Sequence, residues 1–114
     1  MIQTLRGEIW LVDLNPTNGH EQSGQRPGLV ISDDIFNTGP AELVVILPLT
    51  SKNKKIPLHE KIIPPEGGLK EVSYVKCEDI RSVSKQRLLA KIGRVSNLSM
   101  NAVETKIKIL LRFL

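Results

Sequence analysis

Apolar residues along the chain fall in short runs separated by turn-forming residues. Glu8–Leu14 is the first run, and it reads as a strand near the core. Gly28–Ser32 reads as a second strand. Leu43–Thr50 reads as a third, with Pro48 marking an edge or a bulge because proline has no N–H for a ladder. Leu69–Cys77 predicts another, and shorter strands are predicted at Ile80–Val83 and Lys91–Val95. Between the first two runs lies Asn15–Arg26, a polar loop with Pro16, Asn18-Gly19 and Gly24. A loop of that length in a compact domain is often functional. Lys52–Lys61 is a basic stretch that reads as a solvated loop, and Pro64-Pro65 with Gly67-Gly68 marks a turn. Many short strands joined by turn signals predict a small barrel or sandwich.

The tail changes period. Val103, Ile107, Leu110, Leu111 and Leu114 recur at helical spacing. Ser99 is the expected N-cap, with Leu98 and Val103 placed as a hydrophobic staple. Ala102, Ile109 and Phe113 lie off that stripe, so the helix is apolar on two sides and should touch something besides its own core.

Composition narrows the class. The 114 residues suit one domain, 1–114, and 40% hydrophobic with 25% charged residues is globular rather than disordered. Sixteen Lys and Arg against twelve Asp and Glu leave a net charge of +4, which favours an anionic partner without choosing one. Cys77 is the sole cysteine, so neither an internal disulfide nor a four-thiolate zinc site can form. Met1–Trp10 has no apolar signal region, and the longest apolar run is far too short for a membrane span. A cytoplasmic protein without membrane attachment is expected.

Candidate chemistry concentrates in Gly19-His-Glu-Gln-Ser-Gly-Gln-Arg-Pro27. The two glycines have phosphate-loop spacing, but Gln25 and Arg26 stand where Lys and Ser/Thr are needed, so that reading fails. His20 or Glu21 can move a proton near neutral pH, and Arg26 can hold a phosphate through two parallel hydrogen bonds. Pro27 biases Arg26 to an extended backbone at a strand entrance. Thr50-Ser51 ends a buried run. Lys76-Cys-Glu-Asp-Ile-Arg81 packs four charges into six residues and reads as the wet face of a strand. His59 has no evident partner, Cys77 reads as a small buried residue, and Trp10 reads as core.

Taken with its flanks, the cluster carries a resemblance. Arg6-Gly-Glu-Ile-Trp-Leu-Val-Asp-Leu-Asn-Pro-Thr-Asn-Gly-His-Glu-Gln-Ser-Gly-Gln-Arg-Pro27, then Gly28-Leu-Val-Ile-Ser32, resembles the opening of the MazF/PemK/Kid endoribonuclease toxins of bacterial toxin–antitoxin pairs. Pro48-Leu-Thr-Ser51, Lys76–Val83 and Lys85-Gln-Arg-Leu88 follow in the same order, so the likeness spans nearly the whole chain.

The resemblance implies a mainly β fold, an SH3-like, partly open antiparallel β-barrel with a C-terminal helix. It implies a homodimer that cuts single-stranded RNA at a short sequence without metal or other cofactor, leaving a 2′,3′-cyclic phosphate and a 5′-hydroxyl. It also implies a cognate antitoxin, expected to carry an acidic disordered tail. Arg26 and Thr50 match the family's catalytic arginine and threonine. His20 and Glu21 match a loop that closes on substrate. Glu78 stands where one branch has a catalytic aspartate, and Lys76-Cys77-Glu78 replaces its Arg-Cys-Asp. His20, Glu21 and Glu78 all remain candidates for proton transfer. Gln22, Ser23, Gln25, Ser51, Lys52, Lys76 and Asp79 are the expected RNA contacts, Asp79 standing where many relatives have Gln. Two other classes share the fold: a gyrase-inhibiting toxin of the CcdB type, and a non-catalytic antitoxin-binding relative. The CcdB type acts through a tryptophan-glycine-isoleucine end, whereas this chain ends Arg112-Phe113-Leu114.

Overall fold

A computed structural model describes residues 3–113. Seven strands form one antiparallel sheet: β1 (Glu8–Asp13), β2 (Gln25–Val30), β3 (Leu43–Thr50), β4 (His59–Ile62), β5 (Ser73–Lys76), β6 (Arg81–Ser84) and β7 (Leu88–Arg94). Two helices complete the fold, a single turn α1 (Asp34–Asn37) and the long α2 (Asn97–Leu111). The strand path is β4-β5-β3-β2-β1-β7, with β6 beside β3. Among the described residues β4 and β7, at the two ends of the path, do not pair with each other, so the sheet is a partly open barrel, as expected.

Strand alternation builds two cores, one on each face. Ile9, Leu29, Leu47, Leu49 and Val75 point to one face and pack with Met100 and Val103 of α2. Trp10, Val12, Val30, Val44, Ile46 and Val83 point to the other. Cys77 belongs to the first core and Trp10 to the second, both as expected.

Several boundaries differ from the sequence reading. Pro48 does not lie on an edge strand. β3 is central, and opposite β2 it pairs with β6 over Leu43–Ile46 and with β5 over Leu49–Thr50. Proline therefore falls at the handover between two partners, where a missing N–H leaves the two short ladders intact. The Leu69–Cys77 strand shrinks to Ser73–Lys76, because Gly67 and Gly68 take positive φ and turn the chain just before it. The basic stretch is not all loop, since His59–Ile62 pairs with β5. Its alternation was masked by Glu60, which sits in the row of Val75 and is satisfied by Lys106 of α2 at 2.6 Å.

α2 starts earlier than expected. Ser96, not Ser99, is the N-cap, and its hydroxyl accepts from Ser99 N–H. Leu98 is 81% exposed and staples nothing; Val95 and Met100, both buried, hold the staple positions instead. Glu66 reaches over from the preceding turn and accepts from Ser96 N–H and hydroxyl. Burial opposes the Glu66 charge most, yet hydrogen bonds from Ser99 and Ser96 outweigh it and hold this carboxyl below its ordinary range. Ile109 and Phe113 are exposed, as the two-sided pattern anticipated, but so is Leu111 of the expected core stripe. Leu114 lies outside the described residues.

Candidate active site

The second core face leads to the site. On β3 it runs Val44, Ile46, Pro48 and then Thr50; on β2 it runs Val30, Gly28 and then Arg26. β2 and β3 pair Gly28 with Pro48 and Val30 with Ile46. Continuing that register by two residues sets Arg26 across from Thr50. Gly28 keeps the sheet uncrowded between them and the core, since a Cβ there would press on Val12 at 3.1 Å and Ile46 at 3.2 Å. On the other side Thr50 pairs with Tyr74. Thr50 is thus paired with the chain's only tyrosine, and Arg26 lies two residues past the last β2–β3 pair, toward the same end of the sheet.

Arg26 does not belong to the loop, as expected from sequence, but to β2. Its Nε donates to Ser23 O at 3.2 Å, and its terminal nitrogens have no protein partner among the described residues. Thr50 is buried, and its Oγ1 accepts from Lys52 N–H at 3.2 Å. That bond uses a lone pair, so the hydroxyl proton remains free to donate. Ser51 and Lys52 follow at the exposed strand end, and Gln25 is exposed at the start of β2.

The polar loop and the end of β5 with the turn after it form a cleft of about 340 Å³ lined by His20, Glu21, Lys76, Glu78 and Asp79. The residues predicted to be the wet face of a strand form instead a partly buried polar knot. Lys76 is 4% exposed, and a 3-10 turn at Cys77–Asp79 swings Glu78 and Asp79 out of the strand. Asp79 accepts from Gln22 N–H at 2.8 Å, and Lys76 Nζ donates to Gln22 Oε1 at 3.3 Å. Arg81 donates to Gln22 O at 2.6 Å and to Asp79 at 3.2 Å. The loop is thereby tied down at Gln22, and His20 and Glu21 stand over the cleft. Glu21 Oε1 accepts from Asn18 N–H at 3.0 Å, and its Oε2 is 3.8 Å from Arg81.

Two of these roles were missed from sequence. Arg81 organises the knot, and only the spacing Lys76-x-x-Asp79-x-Arg81 hinted at it. His59 has a partner after all: its Nε2 is 2.7 Å from Glu78 Oε2. The partners are 19 residues apart, and the β4–β5 register that joins them, with His59 opposite Lys76, was hidden in an apparent loop. Cys77 plays no part in this chemistry, since burial above all pushes its thiol up to about 12. Among the described residues no three His, Cys, Asp or Glu side chains are grouped to hold a metal.

The site as a whole presents an arginine with free terminal nitrogens, a buried threonine hydroxyl, and the imidazole and carboxyl groups of His20, Glu21 and Glu78. The family described as "PemK-like, MazF-like toxin of type II toxin-antitoxin system" matches residues 5–111. The chain is 36% identical over 109 residues to Endoribonuclease MazF9 of Mycobacterium tuberculosis, covering 91% of this chain and 92% of that relative. It is 35% identical over 105 residues to Endoribonuclease EndoA of Bacillus subtilis, covering 91% and 90%. The structure is similar to crystalline MazF from Deinococcus radiodurans, with a TM-score of 0.87, 26% identity, and coverage of 99% and 100%. It is also similar to a mycobacterial endoribonuclease in complex with its cognate antitoxin, with a TM-score of 0.81, 26% identity and 97% coverage of both chains.

Proposed function

The chain belongs to the PemK-like, MazF-like toxins of type II toxin–antitoxin systems, and on that premise we propose that it is a metal-independent endoribonuclease that cuts single-stranded RNA in the cytoplasm. What supports this reading is Arg26 with free terminal nitrogens at the start of β2 and the buried Thr50 hydroxyl at the end of β3, together with a cleft lined by His20, Glu21, Lys76, Glu78 and Asp79.

The reaction uses the substrate's own 2′-hydroxyl as nucleophile. A base takes the 2′-proton, the 2′-oxygen bonds to phosphorus, and the bond from phosphorus to the 5′-oxygen breaks. An acid gives that oxygen a proton. The products are a 2′,3′-cyclic phosphate and a 5′-hydroxyl. Such a step needs no metal-bound hydroxide. It needs two proton carriers and donors for the charge that grows on the phosphoryl oxygens. Arg26 supplies two free terminal nitrogens, each with two N–H donors, and Thr50 a free O–H. His20, Glu21 and Glu78 supply the proton carriers. Gln22, Ser23, Gln25, Ser51, Lys52, Lys76 and Asp79 surround the path of the strand and contact its bases and phosphates. The 2′-hydroxyl requirement separates RNA from DNA, and in-line attack favours a strand free to turn out of a helix.

The test is a digest of a long RNA in EDTA with both ends of the cut mapped. Cutting should persist, with 5′-hydroxyl fragments that resist ligation until phosphorylated. A substrate with 2′-hydrogen at the cut site should stay intact; rapid cleavage of that deoxy substrate would overturn the mechanism.

A further inference from the structure

His59 is nearly sealed from solvent, with its side chain 3% exposed, yet it stands directly behind the cleft. Its Nε2 contacts Glu78 Oε2 at 2.7 Å, while its Nδ1 is buried with no hydrogen-bond partner among the described residues. A carboxylate oxygen can only accept, so the contact requires the hydrogen on the ring nitrogen that faces it. The ring therefore donates from Nε2 to the Glu78 carboxylate.

The contact fixes Glu78 and divides its two oxygens. Oε2 is held from behind by the ring, and Oε1 has no protein partner among the described residues. Glu78 is 31% exposed in its side chain and lines the cleft. Glu21, by contrast, spends one oxygen on its own loop and turns the other toward Arg81. Of the three carboxylates that line the cleft with His20, Glu21 and Asp79 stand against Arg81 or Lys76, and Glu78 alone has one oxygen held and the other free, with no lysine or arginine ion pair among the described residues. Lys76, opposite His59 in the register, is engaged with Gln22 and Asp79, and the adjacent Glu60 is paired with Lys106, so neither competes for the ring.

We propose that His59 is a positioning residue: from behind the cleft it holds Glu78 in the orientation in which Oε1 takes the proton of the RNA 2′-hydroxyl. The inference rests on the ribonuclease reading above and assigns the base that reading leaves open. In the attack step the proton passes from the 2′-oxygen to Glu78 Oε1 as the bond to phosphorus forms, and the Nε2–H bond to Oε2 is kept throughout.

The experiment is a double-mutant cycle on single-turnover RNA cleavage, with circular dichroism to score folding. His59→Ala should lower the rate at saturating RNA by roughly tenfold to a hundredfold, the usual range for impaired base catalysis, with the half-saturating RNA concentration little changed. His59→Gln, whose amide can still donate to Oε2, should recover a large part of the rate and covers the case in which His59→Ala folds poorly. In a Glu78→Gln background the His59 substitution should cost less than about twofold, because it acts only through the carboxylate. A wild-type rate for His59→Ala or for Glu78→Gln would overturn the proposal. So would a full multiplicative loss in the Glu78→Gln background, which a purely structural tie between β4 and the turn would give. Wild-type protein that cuts no RNA would instead bring down the ribonuclease reading itself, and this assignment with it.

Discussion

Arg26 is the residue on which most of the proposed rate depends. Its terminal nitrogens are free, and a planar fork matches two phosphoryl oxygens in the transition state. Arg26→Ala should cost about 2–4 kcal/mol of barrier lowering, a hundredfold or more in rate, with unfolding unaffected since the side chain is exposed. Arg26→Lys should restore little, because an ammonium offers no paired donors. Initial rates on a short RNA measure both, and a wild-type rate for Arg26→Ala would remove it from the reaction. Thr50→Ala should be milder in rate. It also removes the acceptor for Lys52 N–H at 3.2 Å, so the strand end should loosen, visible as faster amide exchange at Lys52.

At the scale of elements, the ends of strands decide both stability and the site. Glu8 opens β1 and is almost fully buried. Burial opposes its charge most, but Lys91 at 2.7 Å, Leu5 N–H at 2.8 Å and Trp10 Nε1 at 3.1 Å outweigh it, and the carboxyl titrates below the ordinary glutamate value of 4.5. A group lowered on folding contributes stability that is present above its unfolded pKa and lost as pH falls through its folded one. Denaturation midpoints should therefore fall below about pH 4.5, and Glu8→Gln should flatten that part of the curve. β7 carries a second constraint. A Cβ on Gly93 would lie 2.4 Å from Gly67 O, so Gly93→Ala should destabilise by about 2 kcal/mol or more, measured in urea. These two elements also mark what was legible in the sequence. β1 and β3 were readable because apolar runs face two cores at once, and α2 because its period is 3.6. β4 was not, since Glu60 broke its alternation and found its partner, Lys106, on a helix 46 residues away. Arg26 and Thr50 were readable as residues, but their juxtaposition follows only from the β2–β3 register. His59 and Arg81 were invisible as functional residues because their partners come from other elements.

Two regions of the whole molecule invite partners, the apolar residues at the ends of α2 and the cationic residues near Thr50. Ile109, Leu111 and Phe113 leave α2 and its end apolar and exposed, and Leu98 is exposed at its start. A patch of this kind invites a twofold contact, so the chain should sediment as a dimer at micromolar concentration. Ile109→Glu with Phe113→Glu should shift it toward monomer; a fully active wild-type monomer at that concentration would reject the dimer as the working unit. A second region is cationic. Arg26 is free, Lys52, Lys54 and Lys55 are exposed next to Thr50, and an anionic chain is the natural occupant. RNA fits that description, and so does an acidic, disordered antitoxin tail studded with apolar residues. Both would need Arg26 and the cleft, so the tail should inhibit by competition rather than by unfolding the site. Its binding should weaken only in part between low and high salt, because rim charges are screened while apolar anchors are not. Fluorescence competition between a labelled RNA and the cognate antitoxin peptide measures this directly: the RNA should be displaced in proportion to the peptide, and displacement should be blunted in Arg26→Ala. A stable ternary complex that still cuts RNA would put the antitoxin on the α2 face instead, where the exposed apolar residues would then have a second claimant besides the twofold partner.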